Sequence, residues 1–227
     1  PGNRDEVLGT VLEAGKDEVE AALVSATEAV PQWQHTLASL RAELFEKAAV
    51  ALEKQQDAFL TCLVHEGGKT IPDALSEIRE TVDYCYYYAQ QVRLRFSSAI
   101  HLPGPTGERN ELQLHGRGVF LCISPWNFPL AIFAGQILAA LGAGNCVIAK
   151  PAQQTPSVAF QFVRLLHEIG VPKNVLHLLP GPGAELGKLL LSDSRIHGVA
   201  FTGSTRTATW INRALADRGG AIIPLIA

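Results

Sequence analysis

The stretch Val119-Phe-Leu-Cys-Ile-Ser-Pro-Trp-Asn-Phe-Pro129, with its counterpart Asn145-Cys-Val-Ile-Ala-Lys-Pro151, decides the fold. Each opens as a short apolar run suited to a strand buried on both faces, and each meets a proline that interrupts the ladder. Between them Leu130 to Leu141 is apolar at helical length, and Gly142, Gly144 and Asn145 break it before the second strand. Outward from this pair the alternation repeats with short links. Strands are predicted at 119–123, 145–150, 175–179, 197–202 and 221–226, with helices near 129–141, 156–169, 183–191 and 204–217. Such βαβα alternation predicts an α/β fold: a doubly wound, mostly parallel, Rossmann-like sheet covered by helices on both faces. Ligands of these sheets bind beyond the carboxyl ends of the strands, so the chemistry belongs in the residues just after each one.

Upstream, from about Asp17 to Phe96, the pattern is helical. Val19, Leu23, Ala26 and Val30 recur at helical spacing, as do Leu37, Leu40, Leu44, Ala48 and Leu52. Gly67-Gly68 stops a helix and Thr70-Ile-Pro-Asp73 starts a long one, with Pro72 tolerated in its first turn. The aromatic run Tyr84-Cys-Tyr-Tyr-Tyr88 in that helix reads as packing or as a subunit contact. A Pro- and Gly-rich linker spans His101 to Gly107, and a hairpin of 111–115 with 119–124 about Gly116-Arg-Gly118 is expected. The division is therefore a helical segment at 1–100, a linker and hairpin at 101–118, and a dinucleotide-binding region at 119–227.

Composition narrows the function. The 227 residues carry a net charge of -3 with scattered Lys and Arg, which argues against nucleic acid as a partner. Cys62, Cys85, Cys122 and Cys146 stand far apart without metal-ligand spacing, so no metal site is expected and the thiols read as reduced, as in a cytoplasmic protein. No secretory leader opens the sequence, and the apolar stretch Phe128 to Ala149 reads as helix then strand instead of a membrane span. The absence of methionine and the apolar run Ala221-Ile-Ile-Pro-Leu-Ile-Ala227 lead to the expectation that the chain is a piece of a longer protein.

Four strand ends carry candidate residues. In Ser124-Pro-Trp-Asn-Phe-Pro129 two prolines stiffen a corner that presents the Asn127 amide, a neutral donor suited to a developing oxyanion; the plainer reading is a helix cap. Lys150, fixed by Pro151, places an ammonium over the crevice, though most lysines are simply solvated. Gly181, Gly183 and Gly187 permit close backbone approach, without the usual G-x-G-x-x-G spacing. In Phe201-Thr-Gly-Ser204 the amides of a helix start suit a pyrophosphate, and a serine N-cap is the alternative.

Taken together and in order, Pro125-Trp-Asn-Phe-Pro129, Lys150-Pro-Ala152 and Phe201-Thr-Gly-Ser204 resemble the aldehyde dehydrogenase superfamily over essentially the whole chain. Arg117 to Phe133 and Gly68-Lys-Thr-Ile-Pro-Asp-Ala74 are most similar to the glutamate-semialdehyde dehydrogenase module of the bifunctional proline utilisation enzymes. This resemblance implies an NAD-dependent enzyme that oxidises L-glutamate γ-semialdehyde to glutamate through a cysteine thiolate, with a glutamate as base in hydrolysis. It implies that Asn127 donates to the oxyanion, Lys150 binds the adenosine ribose, Gly183 and Gly187 line the adenine side, and Gly203 and Ser204 hold the pyrophosphate. Ile123, Ser124, Pro125, Trp126, Ala152, Gln153, Phe201 and Thr202 complete the implied NAD surface.

The catalytic glutamate and cysteine of the family fall beyond Ala227 in this comparison, so the isolated chain is expected to be inactive. The implied partners are an aldehyde substrate, the catalytic domain of a parent chain, a flavin-dependent proline dehydrogenase domain, and further copies in a homo-oligomer. Two departures bear on the cofactor: Gln153 stands where many NAD-preferring relatives carry glutamate, and Arg206 stands where an acidic residue is frequent. Rival readings are another aldehyde dehydrogenase, a reductase like the γ-glutamyl phosphate reductases, which the Trp126-Asn127-Phe128 corner argues against, and a non-catalytic dinucleotide-binding fragment.

Overall fold

A computed structural model describes residues 7–227; the first six residues of the expected helical segment lie outside them. Four helices come first: α1 (Lys16–His35), α2 (Ala38–Lys54), α3 (Gln56–His65) and α4 (Ile71–Phe96). As the sequence predicts, Gly67-Gly68 separates α3 from α4, and Thr70 caps α4 by accepting from the Asp73 amide at 3.3 Å. The buried stripe of α2 keeps the expected Ala48 and Leu52 but differs at its start. Leu37 and Leu40 are 66% and 47% exposed, while Ala38, Arg41, Ala42 and Phe45 point inward. The helix is turned because buried Arg41 donates to the carbonyls of Gly142, Trp33 and Thr36, a need that apolar periodicity does not register.

The strand pair β1 (Ile100–Leu102) and β2 (Asn110–Leu112) is antiparallel, with His101 opposite Glu111. This corrects the expected hairpin. Pro103, Gly104 and Gly107 form the turn of a hairpin at 100–112, and 119–124 pairs elsewhere. Gly116 does not turn the chain back; it lets the backbone pass against another backbone, since a Cβ there would strike the Gly144 carbonyl oxygen.

The sheet contains β3 (Val119–Ile123), β4 (Cys146–Lys150), β5 (Leu176–Leu178), β6 (Ile196–Phe201) and β7 (Leu225–Ile226), in the order β5-β4-β3-β6-β7 with every pairing parallel. The connecting helices are α5 (Ala131–Gly142), α6 (Pro156–Glu168), α7 (Gly183–Leu191) and α8 (Thr205–Asp217). The fold is thus the expected α/β type with a central strand first and the two halves wound outward from it. The last strand is shorter than the predicted 221–226, because Pro224 has no N–H to give the ladder, although its carbonyl accepts from the Val199 amide at 3.0 Å. The stretch that reads as helix then strand, Phe128 to Ala149, is α5 then β4, and no helix among the described residues is long and apolar enough to cross a membrane.

The helical segment and the sheet share one core, in which Phe45, Phe133, Phe162 and Leu121 are fully buried. The early helices also supply the charges that α5 and α6 lack. Neither has a side-chain cap of its own. Glu77 of α4 accepts from the amides of Leu130 and Ala131 at 2.8 and 3.1 Å, and Glu66 after α3 accepts from those of Ser157 and Val158 at 2.8 and 3.0 Å. Arg41 and the Trp33 indole take the far-end carbonyls of Gly142 and Leu141 at 3.2 and 3.1 Å. Carboxylates at helix N-termini and a cation at a C-terminus complement the helix dipoles.

Gly116→Ala is expected to lower the unfolding free energy by about 1–3 kcal/mol, because the clash is with backbone that has little freedom to yield. Gly219→Ala, in open space, is expected to change it by less than about 0.5 kcal/mol. Urea denaturation of the two variants checks the contrast.

Candidate dinucleotide site

In-register pairing sets Ile123 beside both Lys150 and Phe201, so three strand ends reach one level. Hydrogen bonds carry the alignment one residue further, from the Ser124 amide to the Lys150 carbonyl at 3.3 Å and from the Thr202 amide to the Ile123 carbonyl at 3.1 Å. Gln136 of α5 ties the same edge together, its Nε2 donating to the Ile123 carbonyl and Thr202 Oγ1, each at 3.2 Å.

Beyond these ends lies a cleft of about 580 Å³ between β3, β4, α7 and α8. Six of the residues implicated by sequence line it: Ile123, Lys150, Ala152, Gln153, Gly183 and Gly187. Lys150 is only 6% exposed, and its ammonium donates to the carbonyls of Pro151 at 2.8 Å and Gly181 at 3.4 Å. It is not a solvated loop lysine. Burial draws its pKa below the ordinary lysine value, and among the described residues no carboxylate pairs with it, so a ligand oxygen is a favourable further partner.

Gly183 opens α7 and Gly187 lies one turn on, inside the helix rather than in the preceding loop. A Cβ at Gly183 would stand 3.6 Å from Lys150 Cε, and one at Gly187 would meet the Trp210 ring at 2.8 Å. The bare α7 surface is therefore matched to a lysine stem on one side and an indole on the other. On α8, Thr207, Trp210 and Ile211 share a face toward the cleft, and Lys188 and Arg206 add two cations to Lys150. With three cations and no carboxylate in its lining, the cleft suits a polyanionic ligand with a flat apolar group.

The other implicated residues lie outside this lining, along the adjacent ends of β3 and β6. Ser124 is buried, Pro125 half-buried, and Trp126 and Asn127 are exposed. Phe201 is buried, while Thr202, Gly203 and Ser204 are exposed. Ser204 is the N-cap of α8 and accepts from the Thr207 amide at 3.3 Å, so the plainer alternative for that serine is realised at a helix start that borders the cleft. For Asn127 the plainer alternative is not realised, since Glu77 takes the first amides of α5. Glu77 is 1% exposed and pairs with Lys69 at 2.6 Å, and the Lys69 ammonium sits 4.1 Å from the centre of the Phe128 ring. The corner that carries Asn127 is thus braced from α4 and the turn before it.

The aldehyde dehydrogenase family model matches residues 1–224. The chain belongs to the aldehyde dehydrogenase family. It is 47% identical to the bifunctional protein PutA of Klebsiella aerogenes, over its whole length and 16% of that protein's. To the 1-pyrroline-5-carboxylate dehydrogenase of Anoxybacillus flavithermus it is 38% identical over 97% of the chain and 45% of that protein. Among solved structures, proline utilization A with proline bound in remote sites superposes with a TM-score of 0.93 at 52% identity, over 96% of this chain and 22% of the other. A 1-pyrroline-5-carboxylate dehydrogenase from Thermus with bound NAD superposes at 0.89 and 34% identity, over 94% and 42%. The chain therefore spans under half the length of these aldehyde dehydrogenase relatives.

Sequence reasoning missed Gln154, Ala184, Lys188, Thr207, Trp210 and Ile211 of the lining, and Glu77 and Lys69 behind the corner. Gly183 and Gly187, four apart, were the available signal that a helix face is kept bare for a neighbour. No local pattern announces Glu77, whose partners are 53 and 54 residues away. Glu77→Ala is expected to destabilise the chain by about 3 kcal/mol, since it strands Lys69 and two helix amides. Pairing it with Lys69→Met is expected to recover part of that loss, measured by urea denaturation.

Proposed function

We propose that this chain is the NAD-binding part of an enzyme that oxidises L-glutamate γ-semialdehyde to L-glutamate in proline catabolism. The observation that carries the reading is the buried Lys150 ammonium at the end of β4, set against the bare α7 surface in a cleft rich in cations. The names of the relatives, PutA and 1-pyrroline-5-carboxylate dehydrogenase, support the substrate. The proposed division is a helical segment at 1–100, a linker region at 101–118 and a dinucleotide-binding region at 119–227.

The residues present fit NAD. Lys150 serves the adenosine ribose, with Ala152 and Gln153 beside it; Gly183 and Gly187 admit the adenine against Trp210. Gly203, Ser204 and the first turn of α8 face the pyrophosphate, and Ile123, Ser124, Pro125, Trp126, Phe201 and Thr202 lead toward the nicotinamide end. When bound, NAD supplies the hydride acceptor. Asn127, relieved of helix capping and held between Pro125 and Pro129, donates from its side-chain amide to the oxyanion that forms when a thiolate adds to the aldehyde.

That thiolate does not come from this chain. Cys85, Cys122 and Cys146 are buried and Cys62 half-buried, and desolvation pushes all four thiols up to about 12. The isolated chain binds cofactor without turning over aldehyde, and the nucleophile and the hydrolytic base belong to a catalytic domain of the parent protein. A flavin-dependent proline dehydrogenase domain accompanies it there, in keeping with the PutA relatives. Free thiols favour a reducing, cytoplasmic setting, and the exposed Tyr86 and Tyr87 of α4 suit a contact between copies in a homo-oligomer.

Lys150→Ala is expected to weaken NAD binding about tenfold by loss of a charge-assisted hydrogen bond, read by titration calorimetry; unchanged affinity removes Lys150 from the site. In the complete parent enzyme, Asn127→Ala is expected to slow acylation about 10²–10³-fold, read by single-turnover kinetics, and an unaltered rate sinks its role as oxyanion donor.

A further inference from the structure

We infer that Glu13, in the segment ahead of α1, sets the choice between NAD and NADP by placing a negative charge at the ribose end of the cleft. This rests on the proposal that the cleft binds a nicotinamide dinucleotide. The cleft lining alone favours an extra phosphate: among the described residues it carries Lys150, Lys188 and Arg206 and no carboxylate, and it offers the neutral Gln153 beside Lys150. The missing charge arrives from another part of the chain. Glu13 Oε1 accepts from Gln153 Nε2 at 3.0 Å.

The backbone that follows Glu13 is anchored at Ala14 and Gly15. The Ala14 amide donates to the Pro180 carbonyl at 2.8 Å, joining this segment to the loop that leads into α7. A Cβ on Gly181 would come within 3.6 Å of the Ala14 backbone, so the two strips of chain lie in near contact. One residue later the Gly15 amide donates to Glu18 Oε2 at 2.8 Å, and the Val19 amide to the Gly15 carbonyl at 3.1 Å, which starts α1. Glu13 is held between a helix start and a loop of the cleft.

The consequence follows from the amide's two ends. With Nε2 committed to Glu13, the carbonyl end of Gln153 is the one left to face a ligand, and it accepts from a ribose hydroxyl. The pair therefore offers a hydroxyl an acceptor and offers a 2'-phosphate a carboxylate one side chain away. Repulsion across that distance at an exposed rim amounts to about a fivefold effect on affinity, and salt weakens it.

Titration calorimetry of this chain with NAD and with NADP tests the idea, using wild type, Glu13→Gln, and Glu13→Gln combined with Gln153→Glu. Wild type is expected to prefer NAD. Glu13→Gln is expected to shrink the preference about fivefold, chiefly through tighter NADP binding, and Gln153→Glu to restore it. The gap between wild type and Glu13→Gln is expected to narrow at high salt. A Glu13→Gln protein that keeps the wild-type ratio, or loses both dinucleotides in equal measure, overturns the role of Glu13 and leaves the NAD site standing. A wild-type chain that binds neither dinucleotide overturns both.

Discussion

The parallel pairing of β3 with β4 and β6 is the constraint on which the rest depends. Because Ile123 stands in register with Lys150 and with Phe201, the chain must leave the sheet at one level on three neighbouring strands. Each exit then has to be made by a residue type that tolerates the crowding there. Prolines follow at 125 and 151, and glycine at 203, where a Cβ would meet the Phe201 ring at 2.6 Å. A crevice with fixed walls results, bounded at these exits by strand ends, prolines and a glycine.

The helical segment has a chemical role beyond covering a sheet face. α5 begins at the corner carrying Asn127 yet contains no acidic residue in its first turn, no base in its last, and no cap of its own. Glu77 and Arg41 supply these from α4 and α2, and Glu66 does the same for the start of α6. One carboxylate thus does three things: it satisfies two amides, neutralises Lys69, and leaves Asn127 free of the capping work its position would otherwise invite. The energetic reason is the high cost of a buried charge with a missing partner, which locks the segment and the corner into one arrangement.

The cleft between α7 and α8 follows a similar logic at the other end of the crevice. Bare positions at 183 and 187 make room for the Lys150 stem and the Trp210 indole, and the lysine ammonium is held by carbonyls of two loops. Carbonyl partners leave its charge uncompensated. That residual charge stands beside Lys188 and Arg206 in the lining, and Glu13 brings a carboxylate up to Gln153 at its rim.

The sequence by itself determined the alternation of strands and helices, the strand ends as the place for chemistry, and the candidates Asn127, Lys150, Gly183, Gly187 and Ser204. These are local signals: buried strands read as apolar runs, and prolines and glycines mark where the backbone must stop or pass close. Tertiary structure alone decided that the hairpin closes at 100–112, that α2 turns Arg41 inward, that Glu77 and not Asn127 caps α5, that Trp210 lines the cleft and that Glu13 meets Gln153. Apart from the hairpin, these depend on partners far away in the chain, 101 residues for Arg41 and 140 for Gln153 with Glu13. Periodicity and capping rules describe what a residue does to its own turn or strand, and a charge or ring that serves another element leaves no mark in its own neighbourhood.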